Sequence, residues 1–210
     1  MTRVKICGIR RLEDALLAAE LGAGALGFVF WPASPRFLDP YAARPIVAAL
    51  PPLVTTVGVF VDAPETYVSG VARLLNLGAV QLHGQERVEP YTRTSYRVIK
   101  AVAVTDGGDC LAAVKAVPAR ATVLLDAHDP VRRGGTGRTI DWTQAAAAAK
   151  ARPIILSGGL NADNVRAAID AVRPYAVDVS SGVESSPGVK DPGKLRALFG
   201  AVSQHQAETI

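Results

Sequence analysis

Residues 153–172, PIILSGGLNADNVRAAIDAV, contain the unit that decides the fold. A short apolar run of strand-forming residues, Pro153–Ser157, is followed by a Gly-Gly turn, by Asn161 as a helix cap, and by a helical pattern over Ala162–Val172. Eight such units follow one another with no linker between them. They predict an α/β fold, a closed (β/α)8 barrel forming a single domain over residues 1–210, with a polar C-terminal tail from about residue 203.

All eight units keep the same order of strand and helix. The predicted strands are Val4–Cys7, Leu26–Phe30, Thr55–Phe60, Ala79–His83, Val98–Val102, Thr122–Asp126, Pro153–Ser157 and Ala176–Ser180. The predicted helices are Leu12–Leu21, Tyr41–Leu50, Pro64–Asn76, Arg87–Arg93, Leu111–Val117, Thr143–Lys150, Ala162–Val172 and Pro192–Val202. Asp141 and Asp191 are predicted helix caps as well. An open doubly wound sheet is the alternative, but it normally carries a Gly-rich dinucleotide turn after its first strand, and CGIRRLED over residues 7–14 is not one.

Composition and charge exclude several classes of protein. The 210 residues are 49% hydrophobic and 20% charged, which is globular composition. Apolar runs such as Ala25–Trp31 are too short to cross a bilayer, and two cysteines are too few for a disulfide framework. The net charge of +4 is scattered and aromatic residues make up only 6%, which argues against a nucleic-acid partner and suits a small anionic one. We expect a cytoplasmic enzyme that binds neither membrane nor nucleic acid.

The barrel prediction places chemistry at the carboxyl ends of the strands, where the loops open. Cys7 ends strand one and can act as a base in its thiolate form. Asp126 ends strand six after an apolar run and can act as an acid if its surroundings favour the protonated carboxyl. Each residue alone could have a purely structural role, Cys7 as a small buried side chain and Asp126 as the cap of a loop. Together they predict an acid–base pair facing one mouth.

The loops after the last two strands have the small residues that suit a phosphate site. Barrel enzymes often bind phosphate with these two loops, since glycines let backbone N–H groups approach the anion closely. A third Gly-rich stretch, Gly134–Gly137, follows strand six and is a candidate lid hinge or ligand contact. The candidate phosphate-binding residues are Gly158, Gly159, Ser180, Ser181 and Gly182.

Further polar residues face the same mouth. Arg36, in a loop stiffened by two prolines, can bind a carboxylate with two parallel hydrogen bonds, although a lone Arg is more often a solvent-exposed surface residue. Gln81 and His83 are two apart on strand four and share a face, and we favour hydrogen bonding over proton transfer for His83. Strands two and three end without a His, Cys or carboxylate, so a metal site is not expected.

Lys5 and Asp178 form a predicted interior ion pair. Lys5 shares a face with Cys7, and strand eight lies beside strand one in a closed barrel. A buried Lys requires a partner, and Asp178, which we also count among the substrate-binding candidates, is in reach. We expect the positive charge of Lys5 to lower the pKa of Cys7 below that of a free thiol, with escape of Lys5 to solvent as the alternative.

The chain resembles the phosphoribosylanthranilate isomerase family over nearly its whole length. The blocks that carry the resemblance are VKICGIRRLEDA from Val4, GFVFWPASPRF, VGVFVD, VQLHG, LLDAHDP, GGTGRTIDW, LSGGLNADNV, and DVSSGVESSPGVKD ending at Asp191. The resemblance implies a TIM barrel without cofactor or metal. It also implies an Amadori rearrangement in tryptophan biosynthesis, from N-(5-phosphoribosyl)anthranilate to 1-(2-carboxyphenylamino)-1-deoxyribulose 5-phosphate.

The resemblance also implies roles for the candidate residues. Asp126 matches the general acid that protonates the furanose ring oxygen, Cys7 the general base that removes the C2 proton, and Arg36 the residue that holds the anthranilate carboxylate. Backbone groups near Gly158, Gly159, Ser181 and Gly182 match the phosphate site. The oligomeric state, monomer or homodimer, stays open.

Three other functions are weighed against this one. A metal-dependent pentose-phosphate epimerase needs His and Asp ligands on several strands, and an aminoaldose isomerase of histidine biosynthesis would prefer paired aspartates at the strand ends. A non-catalytic nucleic-acid-binding protein leaves the pairing of Cys7 with Asp126 unexplained.

Overall fold

Eight parallel strands close into a barrel in chain order, as the repeated units predict. The computed structural model describes residues 2–91, 93–105, 108–127 and 141–208. Strand β1 closes the barrel by pairing with both β2 and β8. The strands are β1 Arg3–Cys7, β2 Ala25–Val29, β3 Thr55–Phe60, β4 Ala79–Leu82, β5 Arg97–Val104, β6 Ala121–Ala127, β7 Ile154–Leu156 and β8 Ala176–Val179.

Helices surround the barrel and cover its outer face. They are α1 Leu12–Glu20, α2 Pro40–Ala48, α3 Glu65–Leu75, α4 Cys110–Ala116, α5 Trp142–Ala151, α6 Val165–Val172 and α7 Pro192–Glu208. Helix α7 passes its predicted end at Val202, so most of the predicted polar tail is helical, as its Gln, Ala and Glu residues permit. Two predicted caps are confirmed, since Asp141 and Asp191 accept hydrogen bonds from backbone N–H groups at the starts of α5 and α7. Asn161 also accepts from two backbone N–H groups, but these lie in a turn, and α6 begins only at Val165.

One predicted helix is wrong. The segment Arg87–Arg93 has only a single 3-10 turn, Glu89–Tyr91, among its described residues. Pro90 lies in the middle of the segment, where it lacks the N–H that an α-helix would use and its ring clashes with the preceding turn. Val88 and Tyr91 nevertheless bury their side chains against the core.

A short hairpin after β8 was not predicted. Strands β9, Glu184–Ser186, and β10, Val189–Lys190, pair antiparallel and turn at Gly188, whose φ of +81° is a left-handed conformation that suits glycine. The hairpin follows the 3-10 turn Ser181–Val183 and precedes α7. It therefore lies beside the loops at the carboxyl ends of the strands.

The strand period of two divides the side chains into an outer and an inner set. The outer set packs against the helices in the main core, which includes Ile6, Leu26 and Leu82. The inner set has an apolar floor, and above it come the polar residues that face the mouth. The floor residues are Val57, Ala79, Ile99, Leu124, Ile155 and Ala176.

Candidate active site

A cavity opens at the carboxyl ends of the strands and contains most of the predicted site residues. Its wall is made by side chains from six of the eight strands and from the loops that follow them. The lining residues are Cys7, Val29, Trp31, Ser34, Arg36, Val59, Val61, Gln81, His83, Asp126, Ser157, Asp178 and Ser180. A second concavity, between α2 and α3 at the amino ends of the strands, contains none of the predicted site residues. The first cavity is therefore the candidate active site.

Asp126, the predicted acid, lies close to a polar side chain that follows β4. Asp126 is only 5% exposed, and its Oδ2 lies 3.2 Å from Nε2 of His83. Nδ1 of His83 lies 2.9 Å from Nε2 of Gln81, which donates to it. Nδ1 is therefore the accepting nitrogen, and the protonated Nε2 of His83 faces the carboxylate of Asp126. His83 thus makes a structural hydrogen bond with Gln81, as favoured from the sequence, and a close polar contact with Asp126.

Cys7, the predicted base, lies above the interior ion pair that the sequence predicts. Nζ of Lys5 is 2.8 Å from Oδ1 of Asp178, and both residues are buried. The prediction of this pair is confirmed. Burial works to lower the pKa of Lys5, but Asp178 and the neighbouring thiol outweigh burial and raise it, so the lysine stays charged. Although Asp178 lines the cavity, its carboxylate is engaged by Lys5.

The prediction that Cys7 has a lowered pKa is wrong. Burial raises the pKa of the thiol, and the carboxylate of Asp178 adds to this effect. Lys5 and Lys190 act in the opposite direction, so the predicted effect of Lys5 is present but smaller than the effect of burial. Cys7 is therefore a stronger base in its thiolate form and is less often found in that form at neutral pH.

Gly27, which the sequence did not single out, makes room for this group. A side chain at this position of β2 would place a Cβ 2.8 Å from Sγ of Cys7 and 3.3 Å from Nζ of Lys5. Both distances are tighter than ordinary van der Waals contacts. A residue larger than glycine would displace the thiol or the lysine.

Arg36 lies at the cavity wall, but it has a protein partner that the sequence did not reveal. Its Nε donates to Oε1 of Glu184 at 2.9 Å, and its Nη2 donates to Oε2 at 2.7 Å. This bidentate pair leaves both N–H groups of Nη1 and one of Nη2 for another acceptor. The aliphatic part of Arg36 lies over Gly8, where a Cβ would be 2.6 Å from Cδ of the arginine.

The loops after β7 and β8, which are predicted to bind phosphate, pack directly against each other. Gly158 and Gly159 both have positive φ, +94° and +62°, after β7. A Cβ at Gly182, in the loop after β8, would collide with the carbonyl oxygen of Leu160. Asn164 ties the first loop down by donating to the carbonyl of Gly159 at 2.9 Å. The two loops therefore form one half-buried surface, and Ser181 lies in it. The candidate stretch Gly134–Gly137 lies outside the described residues.

No group of three His, Cys, Asp or Glu side chains in the described part of the chain could hold a metal ion. No described helix has the length and apolar character that crossing a membrane requires.

Comparisons with known proteins agree with this geometry. A family model described as N-(5'-phosphoribosyl)anthranilate (PRA) isomerase matches residues 4–201. The chain belongs to this isomerase family. The N-(5'-phosphoribosyl)anthranilate isomerase of Geobacter metallireducens is 53% identical to it over 199 residues, which cover 95% of this chain and 98% of that protein.

Solved structures of the isomerase family have the same fold. One contains reduced 1-(o-carboxyphenylamino)-1-deoxyribulose 5-phosphate, with a TM-score of 0.85 and 43% identity over 97% of this chain and 100% of that one. Another is described as mutually generated monomers of the dimeric phosphoribosylanthranilate isomerase from Thermotoga maritima, with a TM-score of 0.85 and 42% identity over 97% and 100% of the two chains. The barrel prediction is therefore confirmed by the topology and by these neighbours.

Proposed function

We propose that this chain converts N-(5-phosphoribosyl)anthranilate to 1-(2-carboxyphenylamino)-1-deoxyribulose 5-phosphate, an Amadori rearrangement in tryptophan biosynthesis. The observation that carries the proposal is the meeting of Cys7, Asp126 and Arg36 in the wall of one cavity. An isomerisation of this kind requires an acid, a base and fixed anionic groups on the substrate, and no change in oxidation state of the protein.

We assign the first step to Asp126. Its carboxyl gives a proton to the ring oxygen of the substrate, the bond from C1 to that oxygen breaks, and the nitrogen lone pair forms a Schiff base cation. Nε2 of His83 lies 3.2 Å from the carboxylate that remains, and its positive edge stabilises the charge formed in this step.

We assign the second step to Cys7. Its thiolate takes the C2 proton, the C–H electrons form a C1–C2 double bond, and the electrons of the C=N bond return to nitrogen. The resulting enolamine tautomerises to the ketone. Because burial raises its pKa, the Cys7 thiolate is a strong base, and Lys5 stabilises the anion while the proton is absent.

The two anionic groups of the substrate have separate binding sites in this proposal. Arg36 binds the anthranilate carboxylate through the N–H groups that Glu184 leaves unused. The joined loops at Gly158, Gly159, Ser180, Ser181 and Gly182 bind the phosphate through backbone N–H groups. The bound molecule of the solved relative carries both a carboxyl and a phosphate group, which supports this division.

The test is turnover of enzymatically generated N-(5-phosphoribosyl)anthranilate, followed by its anthranilate fluorescence. We expect the fluorescence change to depend on the purified protein and to proceed without added metal or cofactor. A protein that leaves the substrate unchanged under these conditions contradicts the proposal. The histidine-pathway isomerase and the pentose-phosphate epimerase are not favoured, because the curated relatives carry the anthranilate isomerase name.

Three further expectations accompany the proposal. The dimeric relative supports a monomer or a homodimer as the assembly. The small anionic substrate and the scattered charge support the absence of a nucleic-acid partner. The cytoplasm stays the expected location of this biosynthetic enzyme.

A further inference from the structure

Behind Arg36 lies a buried ionic cluster formed with Glu184 and Lys190, which are the first and last residues of the β9–β10 hairpin. The side chain of Lys190 is fully buried, that of Glu184 is 4% exposed and that of Arg36 is 11% exposed. Glu184 lies between the two cations, with Oε1 2.8 Å from Nζ of Lys190 and Oε2 2.7 Å from Nη2 of Arg36. Buried charges in a fold are retained only when paired in this way.

Glu184 fixes which edge of Arg36 is available. It takes the side edge of the guanidinium, Nε and one N–H of Nη2, and leaves the end of the group for a ligand. An arginine held by two parallel hydrogen bonds loses its rotational freedom before any ligand arrives. The guanidinium is therefore pre-oriented at the cavity wall.

Lys190 sets the charge of the cluster. One carboxylate between two cations leaves a net charge of +1. Without Lys190, Arg36 and Glu184 would form a neutral pair, and an incoming carboxylate would meet no net positive charge. Nζ of Lys190 also donates to the carbonyls of Cys7 and Ser180, so it ties the hairpin to the ends of β1 and β8.

We propose that Glu184 is a positioning residue that orients Arg36 for the substrate carboxylate, and that Lys190 preserves the positive charge of the clamp by balancing Glu184. The inference rests on the proposed function and deepens it, because it concerns recognition of the anthranilate carboxylate. Neither residue contacts the reacting atoms. Their effect is on discrimination between substrates with and without a carboxylate.

The test compares the natural substrate with N-(5-phosphoribosyl)aniline, which lacks the carboxylate. For Glu184→Ala we expect KM for the natural substrate to rise about tenfold, as for loss of an oriented charged hydrogen bond, while KM for the aniline compound changes little. Glu184→Gln keeps one acceptor oxygen and should give an intermediate KM. Lys190→Met should reduce the same discrimination. Ser186→Ala, at an exposed position of the same hairpin, is the matched control and should behave as wild type.

A second arm separates positioning from a general effect on folding. In an Arg36→Met background the preference for the carboxylate is already lost, so adding Glu184→Ala should not change the ratio of kcat/KM for the two compounds. The positioning role is overturned, and the proposed function stands, if Glu184→Ala lowers kcat/KM equally for both compounds in an otherwise active enzyme. Glu184→Gln serves the same purpose if the alanine variant fails to fold. If the wild-type protein turns over neither compound, the proposed function itself fails.

Discussion

The roles of single residues at the mouth depend on the charges placed beside them. Asp126 has His83 3.2 Å away, and Cys7 has Lys5 and Asp178 beneath it. None of these three neighbours is required to explain the fold, since apolar residues would fill the barrel interior at lower cost. Catalysis, rather than the stability of the fold, therefore explains why polar residues are buried in the barrel interior.

For the acid, we expect Asp126→Asn to reduce kcat by about a hundredfold to ten-thousandfold, because a positioned proton donor contributes that much to rate. The amide is nearly the same size as the carboxyl and keeps an oxygen near His83, so KM should change little. Steady-state kinetics with fluorescence detection measure both constants. A variant with kcat near that of wild type would show that another group donates the proton.

For the base, two opposite changes in the thiol pKa are expected. Lys5→Met removes a charge that favours the thiolate, so the pKa of Cys7 should rise further. Asp178→Asn removes a charge that opposes the thiolate, so the pKa should fall. The pH dependence of Cys7 alkylation in a Cys110→Ser background measures both. Titrations that move in the same direction, or not at all, in folded variants would remove the electrostatic role of the pair.

At the scale of elements, the sequence predicts the parts that depend on local pattern. All eight barrel strands follow from apolar runs of strand-forming residues, and the caps Asp141 and Asp191 follow from residue type alone. The hairpin β9–β10 was not predicted, because the segment SSPGVK contains residues typical of turns. Its two strands have only three and two residues, which is too short for an alternating pattern to show.

The ionic cluster was missed for a different reason. Arg36 and Glu184 are 148 positions apart, and no local pattern links them. Their contact depends on the closure of the barrel and on the path of the hairpin. The prediction of a lowered pKa for Cys7 was wrong for a related reason. The sequence shows which charges lie near the thiol, but not how far the fold excludes water from it.

The loops of the proposed phosphate site give a prediction at this scale. Gly182→Ala places a methyl group against the carbonyl of Leu160, so the two loops must separate. We expect a loss of about 1–3 kcal/mol in the free energy of unfolding, as for overpacked sites, and a raised KM for the phosphorylated substrate. Gly200→Ala, where a Cβ meets nothing within 4 Å, is the matched control. Urea unfolding and steady-state kinetics measure the two effects, and equal behaviour of the variants would contradict the close packing of the loops.

At the scale of the whole molecule, the closed barrel brings the ends of the chain together. Strand β1 pairs with β8, and Lys190 binds the carbonyl of Cys7 at the end of β1. The assignment of residues 1–210 to a single domain stays a prediction. Global stability should nevertheless respond to the charges that connect these distant segments.

The lowered pKa of Glu184 determines the direction in which stability changes with pH. Burial works to raise its pKa, but hydrogen bonds and charges from Arg36 and Lys190 outweigh burial and hold it below its ordinary value of 4.5. A carboxyl with a lowered pKa in the folded state contributes stability that is complete above its ordinary pKa and is lost as the pH falls through the folded value. We expect the stability advantage of wild type over Glu184→Gln to be constant near neutral pH and to shrink below pH 4.5. Urea unfolding across this range measures it, and an advantage that grows on acidification would contradict the sign.

The central claim is that Asp126 and Cys7 move protons on one substrate in this cavity. The most direct measurement uses N-(5-phosphoribosyl)anthranilate carrying deuterium at C2, with mass spectrometry of the substrate and product over time. We predict that wild type forms product with loss of the label to solvent. Asp126→Asn and Cys7→Ser should retain the label in unreacted substrate. Product formed at the wild-type rate by Cys7→Ser, or product that carries the whole deuterium label at C1, as a direct hydride shift from C2 would give, would contradict the account.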